Sequence, residues 1–358
     1  MKSLKFFTLI LAITLASYLA SAEIIISQQP KTSYNLGEII SIPITFKPLN
    51  NVVGSFNADL ICSGNQINFY KNGISLKAGE EKKMEPSLVL TSELIGSLKG
   101  GCKIKAYFGS DYVLTNDFTI SSTINIDPEI LPTETFPGES FSIKGTASKE
   151  SGETVAGFIE AKVYWNEISA SIIPVITQVG TINNNYFEFN ITTPNNMKAG
   201  SYAIVLKAYE KDSLGLITNE GLGEVKMIIK QLPINLEIIL ETPEVEPGTS
   251  VKAKAILHDQ TGENIPTPVI IKIKSDKDKL LEKLDISTDE TFEYLIKYNE
   301  PPRTYKIITE SSDLIAESTF KIKEKQNISI GIANNTLIIK NIGNVPYCNK
   351  TILIKIGG

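Results

Sequence analysis

His258 is the only histidine of this 358-residue chain, and Cys62, Cys102 and Cys348 are its only cysteines. Acid–base and nucleophilic catalysis draw heavily on these two side chains, so their scarcity narrows the available chemistry at once. A Ser-His-Asp arrangement would have to use His258, and no Gly-x-Ser-x-Gly elbow accompanies it. One histidine and three scattered cysteines do not supply the ligand set of a zinc site. Asp276 and Asp278 alternate with lysines and lack the glycine and closing glutamate of a calcium loop. Gly221-Leu-Gly223 lacks the third glycine of a dinucleotide fingerprint. The sequence therefore assigns no catalytic residue, metal ligand or cofactor site, and the chain is expected not to be an enzyme. Four Asn-x-Ser/Thr sequons, at Asn190, Asn327, Asn334 and Asn349, are instead places where chemistry would be done to the chain.

The elements that would carry these residues follow from an internal repeat. Residues 137–164 and 247–274 align without a gap at an offset of 110, with seven of 28 positions identical. The identities are Pro137/Pro247, Gly138/Gly248, Ser140/Ser250, Lys144/Lys254, Gly152/Gly262, Glu153/Glu263 and Lys162/Lys272. In each copy a Pro-Gly turn opens a strand of period two: Phe141, Ile143, Gly145 and Ala147, then Val251, Ala253, Ala255 and Leu257, face one way. A polar hairpin follows at Ser151-Gly152-Glu153 and Thr261-Gly262-Glu263. A second strand runs from about Phe158 to Trp165 and from about Val269 to Lys274. A more diverged third copy lies upstream, where Val52-x-Gly54-x-x-x-Ala58-x-Leu60 parallels Val155-x-Gly157-x-x-x-Ala161-x-Val163. Late strands begin alike at Gly101-Cys102-Lys103-Ile104, Ser201-Tyr202-Ala203-Ile204 and Thr304-Tyr305-Lys306-Ile307. Many short strands with turn signals between them predict an all-β chain of tandem antiparallel immunoglobulin-like β-sandwich domains.

Met1-Lys-Ser-Leu-Lys is basic, Phe6 to Leu19 is apolar, and Ala20-Ser-Ala22 suits a leader peptidase. That layout predicts a signal peptide over 1–22, with an uncleaved anchor as the other reading. The mature chain divides into domain one at 23–122, domain two at 123–231 and domain three at 232–325. Residues 326–358 hold three further strands, read either as the front of a fourth domain or as a sheet added to the third. Pro128, Pro132, Pro233 and Pro243 are assigned to stiff linkers. The net charge of −5 argues against a nucleic-acid partner, which would need a basic stripe. No run after the leader approaches the apolar length of a transmembrane helix.

Pro-Gly-x-Ser, then Gly-Glu in a hairpin, then Gly200-Ser-Tyr202 before a late strand, resembles the tandem immunoglobulin-like repeats of prokaryotic surface proteins. The pattern is also similar to fibronectin type III and macroglobulin-type modules, and the tail from Asn335 to Tyr347 resembles sandwich domains of archaeal envelope proteins. A macroglobulin-type protease trap would carry a Cys-x-Glu-Gln thioester, which this chain lacks. The resemblance implies a non-enzymatic protein at the cell surface or outside the cell: an elongated array for adhesion, envelope structure or display. Its partners would be cell-envelope components, other surface proteins or glycans. The alternative is a carbohydrate- or peptide-binding array accessory to a surface enzyme. In an immunoglobulin-like sandwich Cys62 and Cys102 would end and begin neighbouring strands, close enough for a disulfide. Cys348 then has no partner. The same register sets Trp165 beside Tyr202, either as core packing or, if exposed, as a sugar-stacking pair.

Overall fold

A computed structural model describes residues 23–96, 98–165, 173–334, 336–348 and 351–353. The expected signal peptide falls outside them. The described chain is almost entirely β, with one single-turn helix at Ser92–Ile95. Three pairs of sheets follow one another along the sequence, and the strands are antiparallel apart from one short parallel contact in each pair.

In the first pair, Glu23–Ile26, Ile44–Lys47 and Lys82–Met84 form one sheet, with Ile39–Ser41 and Ser87–Val89 as a separate ladder. The other sheet runs in the order Ser33–Asn35, Phe118–Ser121, Gly100–Phe108, Val52–Cys62, Asn65–Leu76, with Asp111–Leu114 also on Gly100–Phe108. Ile42, Ile44 and Phe46 from one side meet Phe56, Leu60 and Ile104 from the other in a single core. The second pair comprises Ile124–Leu131, Ser140–Lys149 and Tyr186–Thr192, and then Glu134–Thr135, Ile217–Ile229, Gly200–Lys211, Gly157–Trp165 and Ile176–Ile182. The third repeats that plan with Pro233–Leu240, Ser250–Asp259 and Thr291–Leu295, and then Glu244–Val245, Leu314–Ile322, Thr304–Ser311, Pro268–Lys274 and Leu280–Ser287.

The repeat identities have local causes. Gly37, Gly138 and Gly248 all have positive φ, and in each case the next amide donates to the carbonyl three residues back. That is a type II turn, which needs glycine at its third position and favours proline at its second. Gly145 stands where the third module has Ala255, because the Phe187 ring and the Asp127 carbonyl fill the place of a Cβ.

The first strand of every module is broken near a proline, and its halves join opposite sheets. The breaks hold Pro30, Pro132 and Pro243. Proline gives no N–H to a ladder, so the strand leaves one sheet there and enters the other. The second half then runs parallel to the last strand: Ser33–Asn35 beside Thr119–Ser121, Glu134–Thr135 beside Ile228–Ile229, and Glu244–Val245 beside Lys321–Ile322. The prolines assigned to linkers are thus part of the first strands. Pro128 lies within Ile124–Leu131, Pro233 begins its strand, and Pro132 and Pro243 make the breaks.

The chain resolves into two compact units. One comprises Met1–Thr133, Phe141–Ile191 and Ser201–Met227, the other Glu134–Ser140, Thr192–Gly200 and Ile228–Gly358. In the tail, Ile328–Ala333 and Thr336–Asn341 form a hairpin. The third strand expected there is not formed over Thr351–Leu353, and residues 354–358 lie outside the described chain.

Candidate functional site

The register that governs the cysteines is the one that governs the aromatic pair. Cys62 lies opposite Cys102, and Trp165 lies opposite Tyr202. The first pair is a disulfide with Cα atoms 4.2 Å apart. The second is an edge-to-face contact with ring centroids 5.1 Å apart. Tyr202 is only 2% exposed, and burial pushes its hydroxyl pKa up to about 12. Its ring is core rather than a platform for a sugar. In the third module Tyr305 is equally buried, stacks on Phe320 and donates its hydroxyl to the Pro301 carbonyl at 3.2 Å.

His258 is held at both ring nitrogens, by the Glu237 carboxylate at 3.0 Å and the Gly262 carbonyl at 3.2 Å. The Glu237 hydrogen bond raises its pKa above the ordinary histidine range. This is a structural tie between strand and turn. Asn190, Asn327 and Asn334 are exposed, and Asn349 lies outside the described residues. Cys348 is exposed and unpaired. Among the described residues no group of His, Cys, Asp and Glu could hold a metal ion, and no helix is long and apolar enough to cross a membrane.

The polar groups that do converge are at the repeat hairpin, a role that the sequence reading missed. Within the first unit, Lys31 pairs with Glu153 at 2.7 Å, Ser33 Oγ donates to the Glu150 carbonyl at 2.8 Å, and the Ser151 amide donates to Asn35 Oδ1. Behind this contact lies a buried chain of polar groups. Asn35 Nδ2 donates to the Thr123 carbonyl and to Asn219 Oδ1, and Asn219 Nδ2 donates to the Leu36 carbonyl and Glu210 Oε2, both at 2.8 Å. Glu210 in turn holds Lys149, the two side chains being only 12% and 8% exposed. Asn35 and Asn219 are 0% and 1% exposed, so this joint is dry and its groups satisfy one another. Within the second unit the matching hairpin repeats the contact. Lys198 pairs with Glu263 at 2.5 Å, and Gln260 Nε2 donates to the Met197 carbonyl at 2.8 Å. Inside that hairpin, Asp259 Oδ1 accepts from the amides of Thr261 and Glu263. The Gly-Glu identities of the repeat were the available signal: a glutamate kept beside a turn glycine in both copies finds a lysine of the preceding module in both.

A second polar grouping covers the solvent side of the larger sheet in the first module. Lys105, Tyr107 and Asp59 alternate with core residues, and Asp59 lies opposite Lys105 and Asn68 while Tyr107 lies opposite Asn57 and Tyr112. Asn68 Nδ2 donates to Asp59 Oδ1 at 2.6 Å. Burial and the Asp59 carboxylate, which accepts a hydrogen bond from the Tyr107 hydroxyl, raise the pKa of that phenol. The Lys105 ammonium sits 4.8 Å from the Tyr112 ring centroid and 5.2 Å from that of Tyr107.

No protein-family model matches the chain, and no curated protein matches it. Solved structures similar to part of it include trypsin-activated alpha-2-macroglobulin from Escherichia coli, at 11% identity and a TM-score of 0.25 over 88% of this chain. Salmonella alpha-2-macroglobulin reacted with methylamine is similar at 10% identity and the same TM-score, again over 88% of this chain. The chain spans about a quarter of the length of these macroglobulins, 25% and 24% respectively. A beta-glucosidase from Listeria innocua in complex with isofagomine is similar over 28% of this chain and 16% of its own, at 19% identity and a TM-score of 0.24. Likeness this slight says nothing about activity.

Proposed function

We propose that this protein is a non-enzymatic, exported surface protein whose β-sandwich modules form an array for adhesion, envelope structure or display. The observation that carries the reading is the doubled joint: the same repeat hairpin, with the same Gly-Glu pair, contacts the preceding module at Lys31 and again at Lys198. A joint built twice from one sequence device is what a protein that works by spacing requires. The proposed modules are 23–122, 123–231 and 232–325, with 326–358 as either part of a fourth or a sheet added to the third. The leader sequence, the Cys62–Cys102 disulfide and the exposed sequons at Asn190, Asn327 and Asn334 support a place outside the cytoplasm, where disulfides persist. The resemblance to prokaryotic surface repeats agrees with it.

The test is to express the full gene in its native host, fractionate the cells, and read the N-terminus and thiol state of the product. A chain that starts at Glu23, with Cys62 and Cys102 oxidised, in the envelope or medium is the expected result. A cytoplasmic chain that keeps Met1 and has reduced thiols refutes the proposal.

A further inference from the structure

The solvent faces of the three larger sheets differ in one respect. In the second module that face is laced by ion pairs, Lys162 with Glu160 at 2.9 Å and Lys207 with Glu220 at 2.7 Å. In the third, Lys272 pairs with Glu310 at 2.5 Å and Lys306 with Glu317 at 3.6 Å. Such pairs add little stability, but they neutralise a face and fill it. The first module has one such pair, Lys103 with Asp117 at 3.2 Å. Among the described residues Lys105 has no ion pair, and lies instead over two tyrosine rings.

The residues here have a consistent chemistry. Tyr112 is 60% exposed at the edge of the face. Across the strands from it come the phenol of Tyr107, the ammonium of Lys105, the carboxamides of Asn57 and Asn68, and the carboxylate of Asp59. Asp59 is 6% exposed, and its side chain is met by two neutral donors, Asn68 and Tyr107. Burying a carboxylate in this way costs free energy that an apolar side chain would not, and in return it fixes Asn68 and Tyr107 in one orientation. The backbone beneath is fully laddered over this row, from Asp111–Leu114 through Gly100–Phe108 and Val52–Cys62 to Asn65–Leu76. The row of side chains therefore stands on four consecutively paired strands.

From this arrangement we infer that the outer face of the first module binds an oligosaccharide laid across the strands, with one sugar ring on Tyr112 beside Lys105 and the hydroxyls of the following rings on Asn57 and Asn68. A pyranose presents a face of C–H bonds, slightly positive, which suits the negative face of an aromatic ring. Its edge carries neighbouring hydroxyls that are both donors and acceptors. Carboxamides match such pairs because each holds an acceptor and two donors. A nucleic acid would meet the Asp59 carboxylate on a chain of net charge −5. The inference supplies a ligand class for the adhesion reading and rests on that reading for its biological place. Binding by the purified chain is a separate matter from where the cell puts it.

The experiment uses the full mature chain on a printed array of neutral and uronate-containing oligosaccharides, followed by calorimetric titration with the best-retained compound. Retention of a glycan is expected, with Tyr112→Ala weakening it at least tenfold and Asn68→Ala about two- to tenfold, the range for one neutral hydrogen bond. Trp165→Ala should leave the affinity unchanged. Tyr112 is mostly exposed, so its variant keeps the fold, and an unchanged near-ultraviolet circular dichroism spectrum verifies it. Failure of the array to retain the wild-type chain overturns the inference, as does a glycan that binds Tyr112→Ala as tightly as wild type. Either failure would leave export and the module array standing, while a cytoplasmic chain that bound sugar would remove the surface reading alone.

Discussion

Asn35→Ala tests the dry joint within the first unit, because every hydrogen bond of the Asn35 side chain reaches past its own module. The amide donates to the Thr123 carbonyl at 3.1 Å and to Asn219 Oδ1 at 3.3 Å, and its oxygen accepts from the Ser151 amide at 3.3 Å. Alanine removes all three. A neutral hydrogen bond contributes about 0.5–1.5 kcal/mol net, and these are long, which favours the lower half of that range. The Ser151 amide and the Thr123 carbonyl also lose a partner in a site where Asn35 itself is fully buried. Together these effects amount to about 2–3 kcal/mol, or roughly 30- to 150-fold in the equilibrium for opening the joint. Native-state hydrogen exchange reads that equilibrium residue by residue. The Glu220 amide is a suitable reporter, since it donates to the Ser122 carbonyl at 2.9 Å and does not touch Asn35. Its exchange should accelerate by at least 30-fold, while the core amides of Ile104 and Ile159 keep their protection. If Glu220 exchanges as in wild type, or if all three amides accelerate together, the joint is not a local cooperative element and the reasoning fails.

Three further outcomes are expected. Replacing both Cys62 and Cys102 by alanine should cost about 3–4 kcal/mol in the chain-entropy model for a separation of 40 residues, measured as a lower denaturant midpoint; an unchanged midpoint would show that the sandwich holds without its cross-link. His258 gains a carboxylate partner on folding and its pKa is raised, so it contributes stability below the unfolded value of about 6.5 that is lost as pH climbs through the folded value. Glu237→Gln should flatten that dependence and return the histidine resonances to an ordinary titration; a titration unaltered by the substitution would contradict the pairing. Gly262→Ala should cost about 1 kcal/mol, because φ is +85 but nothing lies within 4 Å of the new methyl group, whereas Gly248→Ala must also displace the Tyr298 ring and should cost more. Equal melting temperatures for these two variants would show that Tyr298 moves freely.

The all-β fold was legible because buried faces of period two leave a strong imprint. Val251, Ala253, Ala255 and Leu257 are each at most 1% exposed, as their spacing required. The Cys62–Cys102 pairing came from the resemblance to an immunoglobulin-like sandwich, in which the strands carrying the two cysteines are neighbours. The role of the prolines was not readable. A proline between two strand-like runs looks the same whether the chain leaves a domain or merely changes sheets, and only the parallel contact at Glu134–Thr135 or Glu244–Val245 separates the cases. The joint was hidden for another reason. Asn35 and Asn219 are 184 residues apart, and no periodicity within one module reports a hydrogen bond to the next. Register set Trp165 beside Tyr202 but could not tell core packing from a sugar-stacking pair, because exposure depends on what covers the ring. Tyr107 and Tyr112 alternate with core residues on ordinary-looking strands, and their common face appears only once the ladder is drawn.

The broken first strand also decides how a module bears load. Its second half and the last strand run side by side in the same direction, so the chain enters that half and leaves that strand at opposite ends of the pair. Tension applied to the two ends of the chain would slide these strands along one another rather than peel them apart. Sliding strains every hydrogen bond of the contact at once, whereas peeling breaks them singly. Each of the three modules carries this same contact behind the antiparallel ladder of the strand's first half, so tension must pass that ladder before it reaches the parallel pair.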